Sequence, residues 1–244
     1  MSRTLVVGDI HGGLKALKQV LERANVTDKD KLIFLGDYVD GWSESSQVIN
    51  ALIELSQKQE CIFVKGNHDL YCEEWLSFGH KPEMWLLNGG VATMESYADY
   101  SDEEIDKHLE FFGQMHNYYT DEQNRLFIHA GYSSMHGPEK EMHSSNYRWD
   151  RTLWKTAVAL DTRIEKDSLQ YPKRLLLFSE IFIGHTPTLH LGVTYPLNKA
   201  NIWNVDTGAA FTGAVSIMDI DTKEFWQSEQ LPNLYPDEKG RNAY

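Results

Sequence analysis

Apolar positions along this chain follow two rhythms. Six short runs, at residues 4–7, 31–35, 61–64, 126–128, 181–183 and 202–205, are rich in Val, Ile, Leu and Phe. They are too short for helices and are punctuated by glycine, which predicts buried β-strands. Between the first three the period changes: Leu14, Leu17, Val20 and Leu21, then Val48, Ile49, Leu52 and Leu55, recur at helical spacing. Strand, helix, strand, helix, strand predicts parallel strands with helices packed on them. Residues 70–119 read as mainly helical, with an interruption at Asn88-Gly89-Gly90. Residues 132–147 read as a polar loop over the strand ends, and residues 153–164 as another helix. Residues 215–220 and 224–227 suggest a closing hairpin. From Leu231 on, Pro232, Pro236 and Gly240 suggest a C-terminal tail, residues 231–244. No repeat, low-complexity tract or linker divides the 244 residues, so a single domain over 1–244 is expected.

Each predicted strand runs into a polar cluster of a particular kind. The first three are followed by Gly8-Asp9-Ile10-His11-Gly12, Gly36-Asp37-Tyr38-Val39-Asp40-Gly41 and Lys65-Gly66-Asn67-His68-Asp69. The later three are followed by His129-Ala130-Gly131, Gly184-His185-Thr186-Pro187 and Asp206-Thr207-Gly208. Taken singly, each is ordinary turn chemistry or a structural histidine. Their coincidence at strand ends is what points to a site, because sheets of this kind bind ligands outside the carboxyl ends of their strands.

Asp9, His11, Asp37, Asn67, His129 and His185 make a mixed oxygen and nitrogen donor set. Such a set suits Mn, Fe, Co, Ni or Zn and suits calcium poorly. In Asp9-x-His11 two side chains two residues apart in extended backbone point the same way and can hold one ion. Asp37 can bridge to a second, with Asn67, His129 and His185 completing that shell. Two divalent ions bring about +4 and the two aspartates leave about +2, which matches a phosphomonoester dianion and leaves a field able to ionise a water. His68, next to Asn67 but pointing elsewhere, is placed to act as general acid, with Asp40 holding its imidazole in the productive tautomer. His80, His108, His116, His136, His143 and His190 fit no such pattern. Trp75, Trp85, Trp149 and Trp154 are expected as core or loop anchors rather than as a stacking platform.

Composition narrows the field. A net charge of −13 repels a nucleic-acid backbone, so phosphate binding here needs a local positive centre. Cys61 and Cys72 stand in no metal-binding or disulfide pattern. No apolar run reaches the ~18 residues of a membrane span, and the cytoplasm is the expected compartment. The nucleophile-elbow and phosphate-loop motifs are both absent.

Together the clusters resemble the signature of the calcineurin-like metallophosphoesterases. Within that superfamily they are most similar to the phosphoprotein-phosphatase branch, in particular the bacterial and phage lambda-type Ser/Thr protein phosphatases. Trp85-Leu86-Leu87-Asn88-Gly89-Gly90, Trp149-Asp150-Arg151 and Asp206-Thr207-Gly208-Ala209 support that branch. The resemblance implies an α/β fold of two mixed β-sheets packed as a sandwich flanked by helices. It implies two divalent metal ions, manganese being expected, with Asp9 and His11 on one, Asp37 bridging, and Asn67, His129 and His185 on the other. It gives His68 the role of acid, pairs it with Asp40, and assigns Arg151, beside Asn67, to substrate phosphate. One departure stands out: the branch continues Gly-Asp-x-Val-Asp with Arg-Gly, and here Gly41-Trp42 follows. The expectation is that the site recruits another arginine, such as Arg148 or Arg163, or accepts a different leaving group.

The expected activity is metal-dependent phosphomonoester hydrolysis, by attack of hydroxide held at the dinuclear centre. The substrate expected is a phosphorylated Ser/Thr protein or a small phosphomonoester. A nucleotide or dinucleoside tetraphosphate phosphoesterase is the enzymatic alternative, and a non-catalytic scaffold the alternative of another class. Phosphate release by metal-stripped protein resupplied with Mn²⁺ separates enzyme from scaffold. Asp9→Asn abolishes that release on the catalytic reading and leaves function untouched on the scaffold reading.

Overall fold

Strand residues alternate between two neighbours, and that alternation builds the molecule. The computed structural model describes residues 2–243. Its strands are β1 (Thr4–Val7), β2 (Lys31–Phe34), β3 (Cys61–Phe63), β4 (Tyr118–Thr120), β5 (Arg125–Ile128), β6 (Glu180–Ile183), β7 (Leu197–Lys199), β8 (Ile202–Asn204), β9 (Ser216–Asp219) and β10 (Phe225–Gln227). They form two five-stranded sheets, ordered β10-β9-β1-β2-β3 and β4-β5-β6-β8-β7. In the first, β1, β2 and β3 are parallel and β9 and β10 run antiparallel. In the second, β5, β6 and β8 are parallel between antiparallel edge strands β4 and β7. These are the two mixed sheets expected.

Period-two alternation sends one set of residues inward between the sheets and the other outward. Val6, Ile33, Phe127, Phe182 and Met218 share a core between the sheets, with Phe127 and Phe182 stacked 5.0 Å apart. Leu5, Val7, Leu32 and Phe34 face the other way, onto helices α1 (Leu14–Arg23) and α2 (Ser45–Ser56), through Leu14, Leu17, Val20, Val48, Ile49 and Leu52. Leu126, Ile128, Ile181, Ile183 and Ile202 form a third core with Leu153, Trp154 and Ala157 of the helix Thr152–Ala159. A helix α3 (Asn67–Phe78) follows β3 directly. No helix among the described residues is long and apolar enough to cross a membrane.

Four expectations change. The stretch 70–119 breaks at Asn88 and Gly89, as expected, but ends in a strand: Tyr118 and Tyr119 belong to β4, where aromatic side chains suit a pleated surface. β7, polar and largely exposed, carries no hydrophobic signal that could have announced it. The helix expected over 153–164 stops at Ala159, because Asp161 caps its own turn by accepting from Arg163 N at 3.0 Å. The C-terminal segment is no tail. Leu231–Leu234 forms a short helix, and Leu231 and Tyr235 are buried in the first core.

His108 is a core residue. Tyr97 Oη lies 2.7 Å from its Nδ1 and Asn50 Oδ1 2.8 Å from its Nε2. Burial pushes its pKa down to about 4. The folded protein therefore holds it neutral while the unfolded chain binds a proton near pH 6.5, so this contribution to stability is complete above that pH and is lost as pH falls toward 4. The urea midpoint of the wild type should fall more steeply between pH 7 and 4 than that of His108→Gln; equal slopes would exclude the effect.

Candidate active site

The sheets bring all six predicted polar clusters to one place. Asp9, His11, Asp37, Asn67, His68, His129, His185 and Asp206 are all buried where the parallel strands of both sheets end. The loops carrying them are tied to one another. Asp37 O accepts from Ile10 N at 3.0 Å and from His11 N at 2.9 Å. The buried Asp69 carboxylate accepts from Asp37 N, Tyr38 N and Gly66 N, each at 2.8 Å, and so straps the loop after β2 to the start of α3. Across the sheets, His185 N donates to Asp9 Oδ2 at 3.1 Å, and Gly184 lies so close that a Cβ there would stand 2.1 Å from Asp9 Oδ1. His11, Asp37, Asp40 and His185 all have left-handed backbone, with φ of 54°, 55°, 73° and 66°. Such conformations cost free energy in non-glycine residues and persist only where the surroundings over-determine them.

What converges here is almost entirely acceptors. His11 Nδ1 lies 3.0 Å from the Asp40 carbonyl and His129 Nδ1 2.8 Å from the Leu35 carbonyl, so each must donate there. Their Nε2 lone pairs then face inward. His11 Nε2 is 3.6 Å from Asp37 Oδ2 and 3.8 Å from Asp9 Oδ2. His129 Nε2 is 3.3 Å from Asp37 Oδ2 and 3.2 Å from Asn67 Oδ1. His185 Nε2 is buried with no hydrogen-bonding partner. Asp37 Oδ1 accepts from His68 N at 3.0 Å and Asp9 from His185 N, but lone pairs and carboxylate oxygens outnumber the donors here, which is a fit for cations. Two sets of three, His11, Asp37 and His68, and Asp37, His129 and His185, each have donor atoms within 4.8 Å of one another, and they share Asp37.

Electrostatics agree with that fit. Burial, with Asp206 and Asp37 adding to it, pushes the Asp9 carboxyl well above the usual range. Burial also pushes Asp69 up to about 7 and Asp206 to about 6. Burial opposes the charge on Asp37, but His129 and His68 hold its carboxyl well below the usual range. Burial pushes His11 and His185 well down, keeping them neutral and able to bind an ion.

His68 falls in the first of these sets by distance, but unlike His11 and His129 its ring is held at Nδ1 by a carboxylate. Its Nδ1 is 2.6 Å from Asp40 Oδ2. That carboxylate is fully buried and also accepts from Trp85 Nε1 at 2.7 Å and Thr93 Oγ1 at 2.5 Å. Trp85 is the anchor expected from its residue type, and in addition fixes Asp40. Thr93 gave no sequence signal.

A sequence model for the calcineurin-like phosphoesterases matches residues 2–211. The chain belongs to that family. It is similar to bis(5'-nucleosyl)-tetraphosphatases of the asymmetrical type from Oceanobacillus iheyensis, at 23% identity with 90% of this chain and 89% of the relative covered. The relative from Halalkalibacterium halodurans is 24% identical, with 97% of each chain covered. Among solved structures it resembles a serine/threonine phosphatase from Saccharomyces cerevisiae, with a TM-score of 0.65, 15% identity, and coverage of 99% of this chain and 83% of that one. A metallophosphoesterase from Sphaerobacter thermophilus superposes with a TM-score of 0.57 at 17% identity, covering 96% and 94%.

In this calcineurin-like phosphoesterase a cavity of about 160 Å³ opens beside the acceptor cluster, below the ~300–1,000 Å³ of sites that enclose a whole small molecule. It has room for the phosphoryl end of a ligand. Asp37, Asn67, His68 and His185 line its floor, and Arg151 lines it as expected. Trp149 corrects its own expectation: it is 42% exposed, lines the cavity with Tyr71, and packs edge-on to His185 at 5.9 Å. Neither proposed replacement arginine reaches the cavity. Arg148 is buried and donates to Asn117 Oδ1 at 2.7 Å, and Arg163 is exposed and paired with Asp161. The second arginine lining the cavity is Arg241, from the segment expected to be a tail.

Because Asp37 belongs to both candidate ligand sets, Asp37→Asn should weaken Mn²⁺ at two positions rather than one. Titration calorimetry should show two ions on the wild type and at least tenfold weaker binding of both on the variant; loss of a single ion would remove Asp37 from the bridge. At a hundredfold excess over its Kd, Mn²⁺ should stabilise the wild type by about 2.7 kcal/mol.

Proposed function

We propose that this phosphoesterase is a two-metal hydrolase acting on nucleoside polyphosphates of the dinucleoside tetraphosphate kind. One observation carries the choice of substrate. The cavity that Asp37, Asn67, His68 and His185 line is also lined by Trp149, Tyr71 and Met84. An aromatic face there suits the base of a nucleotide whose phosphates reach the centre. The relatives aligned over nearly the whole chain, which are bis(5'-nucleosyl)-tetraphosphatases, support the same substrate class. Phosphoserine and phosphothreonine proteins rank second, supported by likeness of fold alone.

In this reading Asp9 and His11 hold one ion, Asn67, His129 and His185 the other, and Asp37 both. Two divalent ions, expected to be manganese, would supply Lewis acidity and an activated water there. The remaining work falls to side chains. His11 and His129 donate Nδ1–H to carbonyls and so keep Nε2 available. Asn67 lies at the cavity floor and Arg151 at its side, where a guanidinium fork can take phosphate oxygens two at a time. The bond from phosphorus to the leaving oxygen breaks, and His68 gives that oxygen its Nε2 proton. Asp40 accepts Nδ1–H from His68 and stabilises the cationic ring; Trp85 and Thr93 keep Asp40 from turning away.

Loss of His68 should therefore depend on the leaving group. His68→Asn should lower kcat by about 10²–10⁴ for an alkyl phosphate, whose leaving oxygen needs the proton. For an aryl ester with an acidic phenol the loss should be much smaller, and Mn²⁺ binding by Asp9, Asp37 and the other histidines should persist. A uniform loss across leaving groups would remove His68 from the role of acid. A substrate panel decides the rest: hydrolysis of diadenosine tetraphosphate, read as its mononucleotide products, well above phosphate release from a phosphoserine peptide supports the nucleotide reading, and the reverse order overturns it.

A further inference from the structure

The phosphoprotein-phosphatase pattern places an arginine directly after the aspartate that fills position 40 here, and this chain has glycine there. The space that such a side chain would enter is taken. A Cβ built on Gly41 would lie 3.3 Å from Arg241 Cγ, so the side chain over this backbone comes from the far end of the sequence. Resting on the phosphohydrolase reading, we infer that Arg241 is the second phosphate-holding cation of the site, delivered by the C-terminal segment.

The segment is held as a built part of the molecule. Tyr235 stacks on the Trp42 ring at 5.3 Å, and its Oη accepts from Lys15 N at 2.9 Å and bonds Glu44. Glu238 accepts from Ser43 N at 3.0 Å and Ser43 Oγ at 2.7 Å. Gly240 lies against the same tryptophan, where a Cβ would come within 2.6 Å of Cζ2. Arg241 N donates to the Ala210 carbonyl at 2.9 Å. The two departures at 41–42 therefore act together: Gly41 leaves the space, and Trp42 anchors the segment that fills it.

The guanidinium is positioned without being neutralised. Its Cζ lies 5.2 Å over the Phe211 ring, and Nη2 donates to the neutral Asn88 Oδ1 at 2.7 Å. Nε is buried with no hydrogen-bonding partner. No carboxylate pairs with it among the ion pairs of the described residues. Asn88 in turn is fixed by its Nδ2 donating to the Met84 carbonyl at 2.7 Å, within the irregular turn Leu86–Gly90. A cation held by an aromatic face and an amide, lining the same cavity as Arg151, Asn67 and His68, is poised for an anion.

Inorganic phosphate is the probe. With Mn²⁺-loaded full-length protein, Arg241→Ala should raise the inhibition constant of inorganic phosphate and the KM of the phosphoester by about ten- to a hundredfold, the loss expected for one charged hydrogen-bonding partner. Arg241→Lys should recover part of it, and Arg163→Ala, at an exposed surface pair, should behave as wild type. Mn²⁺ stoichiometry and Tm should be close to wild type in all three. Unchanged phosphate inhibition in Arg241→Ala overturns the inference. So does a drop in Tm and kcat with phosphate affinity intact, which would make the arginine a structural strap. If the wild type itself neither turns over a phosphoester nor binds phosphate, the phosphohydrolase reading fails instead, and the two failures are distinct.

Discussion

Burying carboxylates and imidazole lone pairs against one another, with more acceptors than donors among them, is the constraint from which the rest of this molecule follows. Asp9, Asp37, Asn67, His11, His129 and His185 face a common centre with their Nδ1–H groups or backbone already committed elsewhere. Desolvating such groups is expensive, and only positive charge among them offsets it. The raised carboxyls of Asp9, Asp69 and Asp206 record that burial first and the neighbouring carboxylates second. The left-handed backbone at His11, Asp37, Asp40 and His185 is a second cost at the same place. The backbone cost is met by the surroundings: two packed sheets, their shared core, and the Asp69 strap that ties two of the loops together.

That constraint also explains why the architecture has two sheets. The first supplies Asp9, Asp37 and Asn67 from the ends of three parallel strands, and the second supplies His129, His185 and Asp206 in the same manner. Oxygen donors come from one side and most of the nitrogen donors from the other. Neither sheet alone assembles a complete shell, so the Phe127–Phe182 stack and its neighbours between the sheets hold the site in register although they touch none of it. Catalytic geometry and core packing are in this sense one problem.

Sequence alone made the centre legible because its parts are local. A short apolar run followed by a polar cluster such as Gly8-Asp9-Ile10-His11 is readable in a window of ten residues, and six strand ends carried a cluster of that kind. The lost information is of the opposite kind. Asp40's partners Trp85 and Thr93 lie 45 and 53 residues away, and only the fold brings them together. β7 is too polar to announce itself, and the end of the helix at Ala159 is set by one Asx turn. Trp149 has the residue type of a core anchor, but it ends the short helix Asn146–Trp149 at the cavity and is left partly exposed there. The C-terminal segment has prolines and a glycine, which are turn chemistry, but its burial is decided by the distant Trp42.

The acidity of the chain and the anionic character of its proposed substrate are compatible only because positive charge is concentrated. Net charge of −13 repels a polyphosphate at long range, beyond a Debye length of about 8 Å in physiological salt the surface is screened, and inside that distance the local field governs. At the cavity, two arginines reach the rim from different parts of the chain, Arg151 ahead of a helix start and Arg241 from the C-terminal end. Among the described residues neither is paired with a carboxylate, whereas Arg3, Arg23, Arg125 and Arg163 all are. Arg148 and Arg174 also make no ion pair among those residues, but each spends its guanidinium on neutral oxygens of the protein, so the two arginines at the cavity give an anion a local positive centre there. Selectivity for a phosphoryl end over a long anionic polymer then follows from where the unpaired charge is, rather than from how much of it the protein carries.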